Sequence, residues 1–407
     1  MSRFVHVFLG ALMLAVSACS SPTAPPTPSP GAPAKTVAPK PVASSPVAVA
    51  SPAPLVGGKV PSTDPAVHVF LWGNAATTAR DLKLAHDAGF HWVKQRFEWR
   101  NIEGKNKASF EWDEPDRIVD AISQTGLRII ARVDNQPKWA SASITWPGSG
   151  PPDNPKDWSD YLTALATRYK GRIQAYEIWN EPNLDREWGN KKPDPSAYAS
   201  MLKSSYQAIK AADPQALVIS AGMSPTATND DHATPDLDFI SVMYAAGAKD
   251  SFDLLGVNAA GFKAEPCADP GQVALSAELT NNNPGPANLK RIYAFRHVED
   301  VHDLMVQQGD TTKQMAILEM GWTTDARPGS QYAWFAVDRD QQAKNLVGAF
   351  NCAREHWQPW MAFMTVIYIP DPSWNQQQEQ YWWSITNPDG GPRPAYTALK
   401  GFLATSP

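Results

Sequence analysis

Two glutamates have the surroundings that bond-breaking chemistry needs. Glu181 stands in Ala175-Tyr176-Glu177-Ile178-Trp179-Asn180-Glu181-Pro182-Asn183, an apolar, strand-like run that ends where Pro182 forbids further ladder pairing. Glu319 stands in Met315-Ala316-Ile317-Leu318-Glu319-Met320-Gly321-Trp322, an apolar run followed by a glutamate and a glycine break. A carboxylate placed where a strand stops lies at one end of a sheet. Two of them facing one cleft are the minimum equipment for cleaving a glycosidic bond by acid/base and nucleophilic catalysis. Whether the pair works with retention or inversion depends on its separation, about 5–5.5 Å or about 6.5–9.5 Å, which the sequence leaves open.

The elements that position these glutamates alternate strictly. Strands are predicted at His68–Trp72, Trp92–Phe97, Leu127–Val133, Ile173–Trp179, Ala216–Ala221, Leu254–Asn258, Gln314–Glu319 and Trp360–Tyr368. Between and after them fall helical patterns at Thr77–Ala88, Pro115–Gln124, Pro155–Tyr169, Pro195–Ala211, Asp238–Ala245, Leu289–Gln308, Gln341–Arg354 and Pro394–Leu403. Eight βα units in one domain, residues 66–407, predict a closed (β/α)8 TIM barrel of class α/β. In such barrels the active site sits at the C-terminal ends of the strands. Glu181 follows the fourth strand and Glu319 ends the seventh, so both belong to that face.

The chain before residue 66 is not fold. Arg3 and the apolar Phe8–Val16 read as an export signal too short to span a bilayer. It ends Val16-Ser17-Ala18-Cys19, which looks like a bacterial lipobox with Cys19 as lipid acceptor; an ordinary signal peptide cleaved near Ala18 is the alternative. Residues 20–65, rich in Pro, Ala, Ser and Val, cannot bury enough surface to offset their ordering entropy and read as a disordered, semi-rigid spacer. The expectation is an exported, membrane-anchored lipoprotein with no transmembrane helix. A formal net charge of -5 without a basic block argues against nucleic-acid binding. No metal-ligand spacing occurs, and two carboxylates and a water need no cofactor. A monomer acting on an oligo- or polysaccharide is expected.

Other side chains can be placed by parity. On the second strand Val93 and Phe97 suit the helix-facing side, so Lys94 and Arg96 point inward. Arg132 and Glu177 are inward candidates on strands three and four. Interior charge is costly without partners, so a paired cluster beneath the catalytic carboxylates is expected, with Lys94 or Arg96 holding Glu319 ionised. Sixteen tryptophans is a high count. Trp139, Trp188, Trp322, Trp374, Trp382 and Trp383 fall in strand-end loops, where a ring can floor a sugar subsite or simply pack. Trp322 and one of Trp374, Trp382 or Trp383 are the better candidates of these. Cys267, in the long loop after strand six, and Cys352, near the lower end of helix seven, are expected to lie too far apart to bridge.

The segments Tyr176–Leu184 and Ile317–Trp322 resemble the clan A retaining glycoside hydrolases, families 39 and 5 most closely. The similarity runs across residues 66–407, including Asp157-Trp158 to Arg172 and Ala197-Tyr198 to Pro214. It implies Glu181 as general acid/base, Asn180 as the neighbour binding the sugar 2-hydroxyl, Glu319 as nucleophile, and double displacement with retention at a β-linked glycoside. One departure stands out: the family's His-x-Tyr after strand six reads Asn258-Ala259-Ala260 here. Asn258 then becomes a substrate-binding candidate, and Tyr368 or Tyr381 a candidate for the missing hydroxyl. The rival reading is a non-catalytic carbohydrate-binding lipoprotein on a hydrolase-like barrel; a transporter's substrate-capturing lipoprotein ranks last.

Overall fold

The computed structural model describes residues 59–405. The export signal, Cys19 and most of the spacer lie outside the described residues. Eight parallel strands close into a barrel in chain order. They are β1 (Asp64–His68), β2 (Trp92–Arg96), β3 (Arg128–Val133), β4 (Ala175–Ile178), β5 (Leu217–Ser220), β6 (Leu254–Gly261), β7 (Gln314–Trp322) and β8 (Met361–Val366). The main helices are α1 (Ala75–Asp87), α2 (Asp113–Ser123), α3 (Pro155–Arg168), α4 (Pro195–Ala212), α5 (Asp236–Ala245), α6 (Val298–Gln307), α7 (Arg339–His356) and α8 (Pro394–Ala404). Their starts are chemically marked. Asn154 accepts from the Lys156 amide ahead of α3, and Asp194 from the Ser196 and Ala197 amides ahead of α4, each followed by proline at the first helical position.

Strand parity sorts the side chains into two layers. Inside the barrel lie Ala66, Trp92, Ile130, Ala175, Leu217, Ile219, Leu254, Ala316, Leu318 and Phe363, all buried. Val93, Phe97, Val133, Ile178 and Ile317 face the other way, into the layer beneath the helices. The interior apolar packing closes the bottom, where Val60 exchanges two hydrogen bonds with the Gln314 side chain at 3.1 and 3.0 Å. The top is left to polar groups.

Four expectations need correcting. The first strand lies at Asp64–His68 rather than His68–Trp72, so the fold begins inside the stretch assigned to the spacer. Residues 63–69 form one unbroken buried run and Leu71 is buried as well, and Pro65 is tolerated near a strand start. The seventh strand continues through Gly321 to Trp322 instead of breaking at the glycine; a Cβ there would meet the Ile367 side chain at 2.8 Å, so the residue admits a neighbour. The helix expected over Leu289–Gln308 is broken at Ala294, whose backbone is extended, and only α6 is regular.

The fourth correction is a disulfide joining Cys267 and Cys352, with Cα atoms 5.5 Å apart. The connection after β6 does not stay on top of the barrel. It descends the outer wall, with Pro266 against Gly348 of α7 and the Cys267 carbonyl accepting from Arg296. A top-to-bottom argument fails when the loop itself makes the descent.

One buried ion cluster ties this wall together. His297 lies between Asp236 (Nε2 to Oδ2, 2.9 Å) and Asp300 (Nδ1 to Oδ2, 2.8 Å). Burial works against its charge, but the two carboxylates prevail and raise its pKa to about 9 from 6.5. A histidine raised on folding stabilises fully below pH 6.5, and that contribution is lost as pH climbs to about 9. Urea unfolding of the full-length chain should therefore show stability declining over this window. In His297→Gln the decline should flatten, on a lower baseline at pH 6.

Candidate active site

Glu319 reaches the barrel mouth through an irregularity in β7. Ala316 and Leu318 point inward, so regular alternation would send Glu319 outward toward the helices. In the pairing with β6, however, Val257 faces Ile317 and the next residue, Asn258, faces Glu319. Leu318 is thus an extra residue, a bulge that resets the phase and turns the carboxylate inward. Met320 and Trp322 then face the helix layer.

Three groups from other strands converge on Glu319 Oε1. Lys94 Nζ of β2 lies 3.3 Å away, Arg132 Nη1 of β3 3.4 Å, and His68 Nδ1 of β1 3.9 Å. Lys94 also donates to the carbonyl of the bulged Leu318 at 3.1 Å and lies 2.8 Å from Glu177 Oε2. The inward cluster expected from parity is therefore present, with Lys94 shared between two carboxylates. Burial raises the Glu177 pKa to about 7 even though Lys94 and Arg132 pull it down. His68 is held well below its usual pKa by burial and then by the charges of Lys94, Arg132 and Arg96, so its ring is neutral. Both of its nitrogens lack hydrogen-bond partners. Asp134 binds Arg132 Nε at 2.6 Å; burial opposes its charge, but Arg132 and Arg96 hold it below the usual carboxylate range.

Glu181 is positioned differently. The chain leaves β4 through two non-glycine residues in the left-handed region, Trp179 (φ 72°) and Glu181 itself (φ 41°). Each costs about 1–3 kcal/mol, a strain that persists only where the surroundings fix it. Two bonds do so: the Trp179 amide donates to Val133 O at 2.9 Å and the Glu181 amide to Gly222 O at 3.2 Å. At the side chain, Asn258 Nδ2 of β6 donates to Oε1 at 3.2 Å, and Arg186 pairs with Oε2. The two carboxylates are part-exposed, at 14% and 17%, whereas Lys94 and Glu177 beneath them are at 0%. Asn180 is buried with its Oδ1 unpartnered.

The remaining candidates divide. Arg96 is part-exposed at the mouth and pairs with Glu98 Oε1 at 2.6 Å. Tyr368 and Trp374 are half-buried and form one aromatic group with Phe70 beside His68, with ring centroids 4.5–5.5 Å apart. Lys94 is too deep to touch a sugar, so it can act on one only through Glu319. Trp322 is wholly buried against Phe295 and cannot floor a subsite. It lies three residues past Glu319 and so on the opposite face. Trp139 spends its indole N–H on Glu103 O (2.7 Å) and packs edge-on against Trp99; Trp188 and Trp383 are likewise buried. Tyr381 packs under Arg393 and does not supply the missing hydroxyl.

Several groups at the mouth went unrecognised in the sequence. Asp134 shares a face with Arg132 two residues away, a signal parity could have supplied. His68 was hidden by the misplaced first strand. Arg186, and Glu379 on the short helix Glu379–Trp383, carry no local signal. Burial raises the Glu379 carboxyl, whose charge acts on Arg186 and which hydrogen-bonds Tyr332.

A closed parallel barrel with two carboxylates and a cationic cluster at one mouth has the parts that glycosidic-bond cleavage needs. The family model for cellulase, glycosyl hydrolase family 5, matches residues 56–247, just under half of the chain. A β-xylosidase of Geobacillus stearothermophilus is 29% identical over 125 residues, covering 28% of this chain and 24% of that protein. Solved structures give likeness of fold at low identity. A family 39 glycoside hydrolase from Bacteroides cellulosilyticus superposes with a TM-score of 0.63 at 16% identity, over 87% of this chain and 66% of that one. A family 5 enzyme from Streptomyces cattleya, solved in complex with Manβ1-4GlcNAc, gives 0.59 at 13%, over 85% and 82%. Thermotoga maritima xylanase 10B gives 0.54 at 12%, over 86% and 96%. The chain thus spans about a quarter of the xylosidase and just under two-thirds of the family 39 enzyme. These matches make the chain similar to glycoside hydrolases in sequence over part of its length and in fold over most of it.

Proposed function

We propose that the protein hydrolyses a β-linked glycoside or polysaccharide by double displacement, with retention. The observation that carries this reading is the asymmetric environment of the two mouth carboxylates. The hydrogen bonds of Lys94 and Arg132 to Glu319 both go to Oε1, with His68 Nδ1 3.9 Å away, which leaves Oε2 as the oxygen to offer to substrate. In the first step that oxygen bonds to the anomeric carbon as the glycosidic C–O bond breaks, and Glu181 gives its proton to the leaving oxygen. In the second, Glu181 takes a proton from water, which attacks the same carbon and releases Glu319. For Glu181 to reach the leaving oxygen through Oε2, substrate has to take the place of Arg186. The unpartnered Asn180 oxygen is suited to a sugar hydroxyl.

The Met1–Cys19 signal and the proline-rich spacer support an exported protein tethered by lipid on Cys19, holding its barrel away from the membrane. The test is to incubate the full-length chain with xylan, β-glucan and mannan and with aryl β-glycosides. Release of reducing sugar is measured, and the first-formed anomer is read by proton NMR. Retention is expected. An inverted first product removes Glu319 as nucleophile. Saccharide binding without turnover moves the protein to the carbohydrate-binding reading.

A further inference from the structure

Trp146 is the one exposed large aromatic side chain among the described residues, at 43%. It stands on the loop between β3 and α3, and its exposure is built rather than accidental. Arg100 lies over one face of the ring at 4.9 Å. That guanidinium is itself fixed, donating to Pro147 O at 2.8 Å and to Asn135 Oδ1 at 2.6 Å. The loop is pinned on its far side as well, where the Gly189 amide donates to Ser149 O at 2.6 Å. An exposed indole held in one orientation pays no ordering cost when a flat apolar ligand arrives.

Its place relative to the two glutamates follows from a continuous set of contacts. Asn135, which holds Arg100, follows Asp134; Asp134 binds Arg132; and Arg132 reaches Glu319. Trp146 therefore stands on the lip of the same mouth, on the side of β2, β3 and β4, beyond a ring seated between Glu181 and Glu319. The apolar patch is one ring wide, between exposed Thr145 and Pro147. That is far too small for a protein interface and matches the apolar face of a single sugar ring. The other exposed apolar side chains, Val242, Leu275 and Val306, belong to helices elsewhere.

We propose that Trp146, backed by Arg100, is a remote sugar platform that selects extended β-linked chains over short ones. This rests on the hydrolase reading of the mouth and extends it to substrate class: an oligo- or polysaccharide long enough to span both positions. Binding energy gained at a remote ring can be spent at the reacting centre, so chain length should affect turnover as well as affinity.

The test uses the full-length Glu319→Gln chain, which binds without turning over, and titration calorimetry with xylobiose, xylohexaose, cellobiose and cellohexaose. At least one hexaose should bind more tightly than its biose, by about three- to tenfold for one aromatic contact. Adding Trp146→Ala should bring that hexaose down to the affinity of the biose and leave the biose unchanged, while Trp146→Tyr should restore the difference. Equal affinities in the parent, no hexaose binding, or a hexaose advantage that survives Trp146→Ala each overturn the platform. Turnover of aryl β-glycosides by the wild-type chain is scored separately. If it is absent while the hexaose effect holds, the hydrolase reading fails and the platform stands.

Discussion

Glu319→Gln is expected to lower kcat by about four orders of magnitude or more, because a nucleophile has no substitute in a covalent mechanism. Glu181→Gln should behave differently. General acid/base catalysis contributes about 10²–10⁴-fold, and its first half matters only where the leaving group needs a proton. With an alkyl or sugar leaving group the full loss is expected. With a dinitrophenyl glycoside the first step should proceed, and deglycosylation should become limiting, seen as a burst of phenol followed by slow turnover. Added azide, a nucleophile needing no base, should restore the rate and yield a β-glycosyl azide. Equal losses on both leaving groups and no azide rescue would refute the assignment of Glu181. Both variants should stay folded, since Lys94 remains paired with Glu177 in each.

The second large effect concerns Lys94, the buried cation between two carboxylates. Lys94→Met removes the partner of a fully buried Glu177, a change that costs about 3–5 kcal/mol of stability. It should also lower kcat by about 10²-fold, because the Oε1 side of Glu319 loses a fixed positive charge. The double variant Lys94→Met/Glu177→Met separates the roles: stability should largely return and kcat should not. The pH dependence has a definite sign. Burial raises Glu177 to about 7 from 4.5, so between those values the folded chain binds a proton the unfolded chain has lost. Stability therefore falls as pH rises through that window. Glu177→Gln should abolish this part of the decline. Lys94→Met, by removing a group that lowers the Glu177 pKa, should extend the decline above pH 7. Urea unfolding at pH 5 and pH 8 reads both.

The barrel was legible because its strands are buried on both faces and its helices are not. Runs such as Ile129–Val133 and Leu217–Ser220 contrast with the half-polar helices that follow them, and the alternation survives errors of a few residues. Where one mostly apolar run passes from strand to loop, as over residues 65–71, the ends cannot be read, and His68 was lost with them. Parity correctly turned Lys94, Arg132 and Glu177 inward, since it depends only on local geometry. It was not applied to Trp322, whose spacing from Glu319 already placed it on the other face. The cysteine pair and the Arg186–Glu181 contact depend on the paths of irregular connections, which carry no periodicity to read. Asn258, expected only as a substrate-binding candidate, hydrogen-bonds Glu181.

The extra residue at Leu318 makes this site depend on strand pairing as much as on residue identity. A relative with the same glutamate in the same apolar run, but with Leu318 paired regularly instead of bulged, would form an equally good seventh strand. It would then carry the carboxylate into the dry layer beneath α7, beside Ile317 and Leu346. Such a chain would look intact in any comparison of residue types and yet have no reactive group at its mouth. Among barrels of this kind, loss of activity can therefore come from a change in strand pairing that leaves every recognisable residue in place.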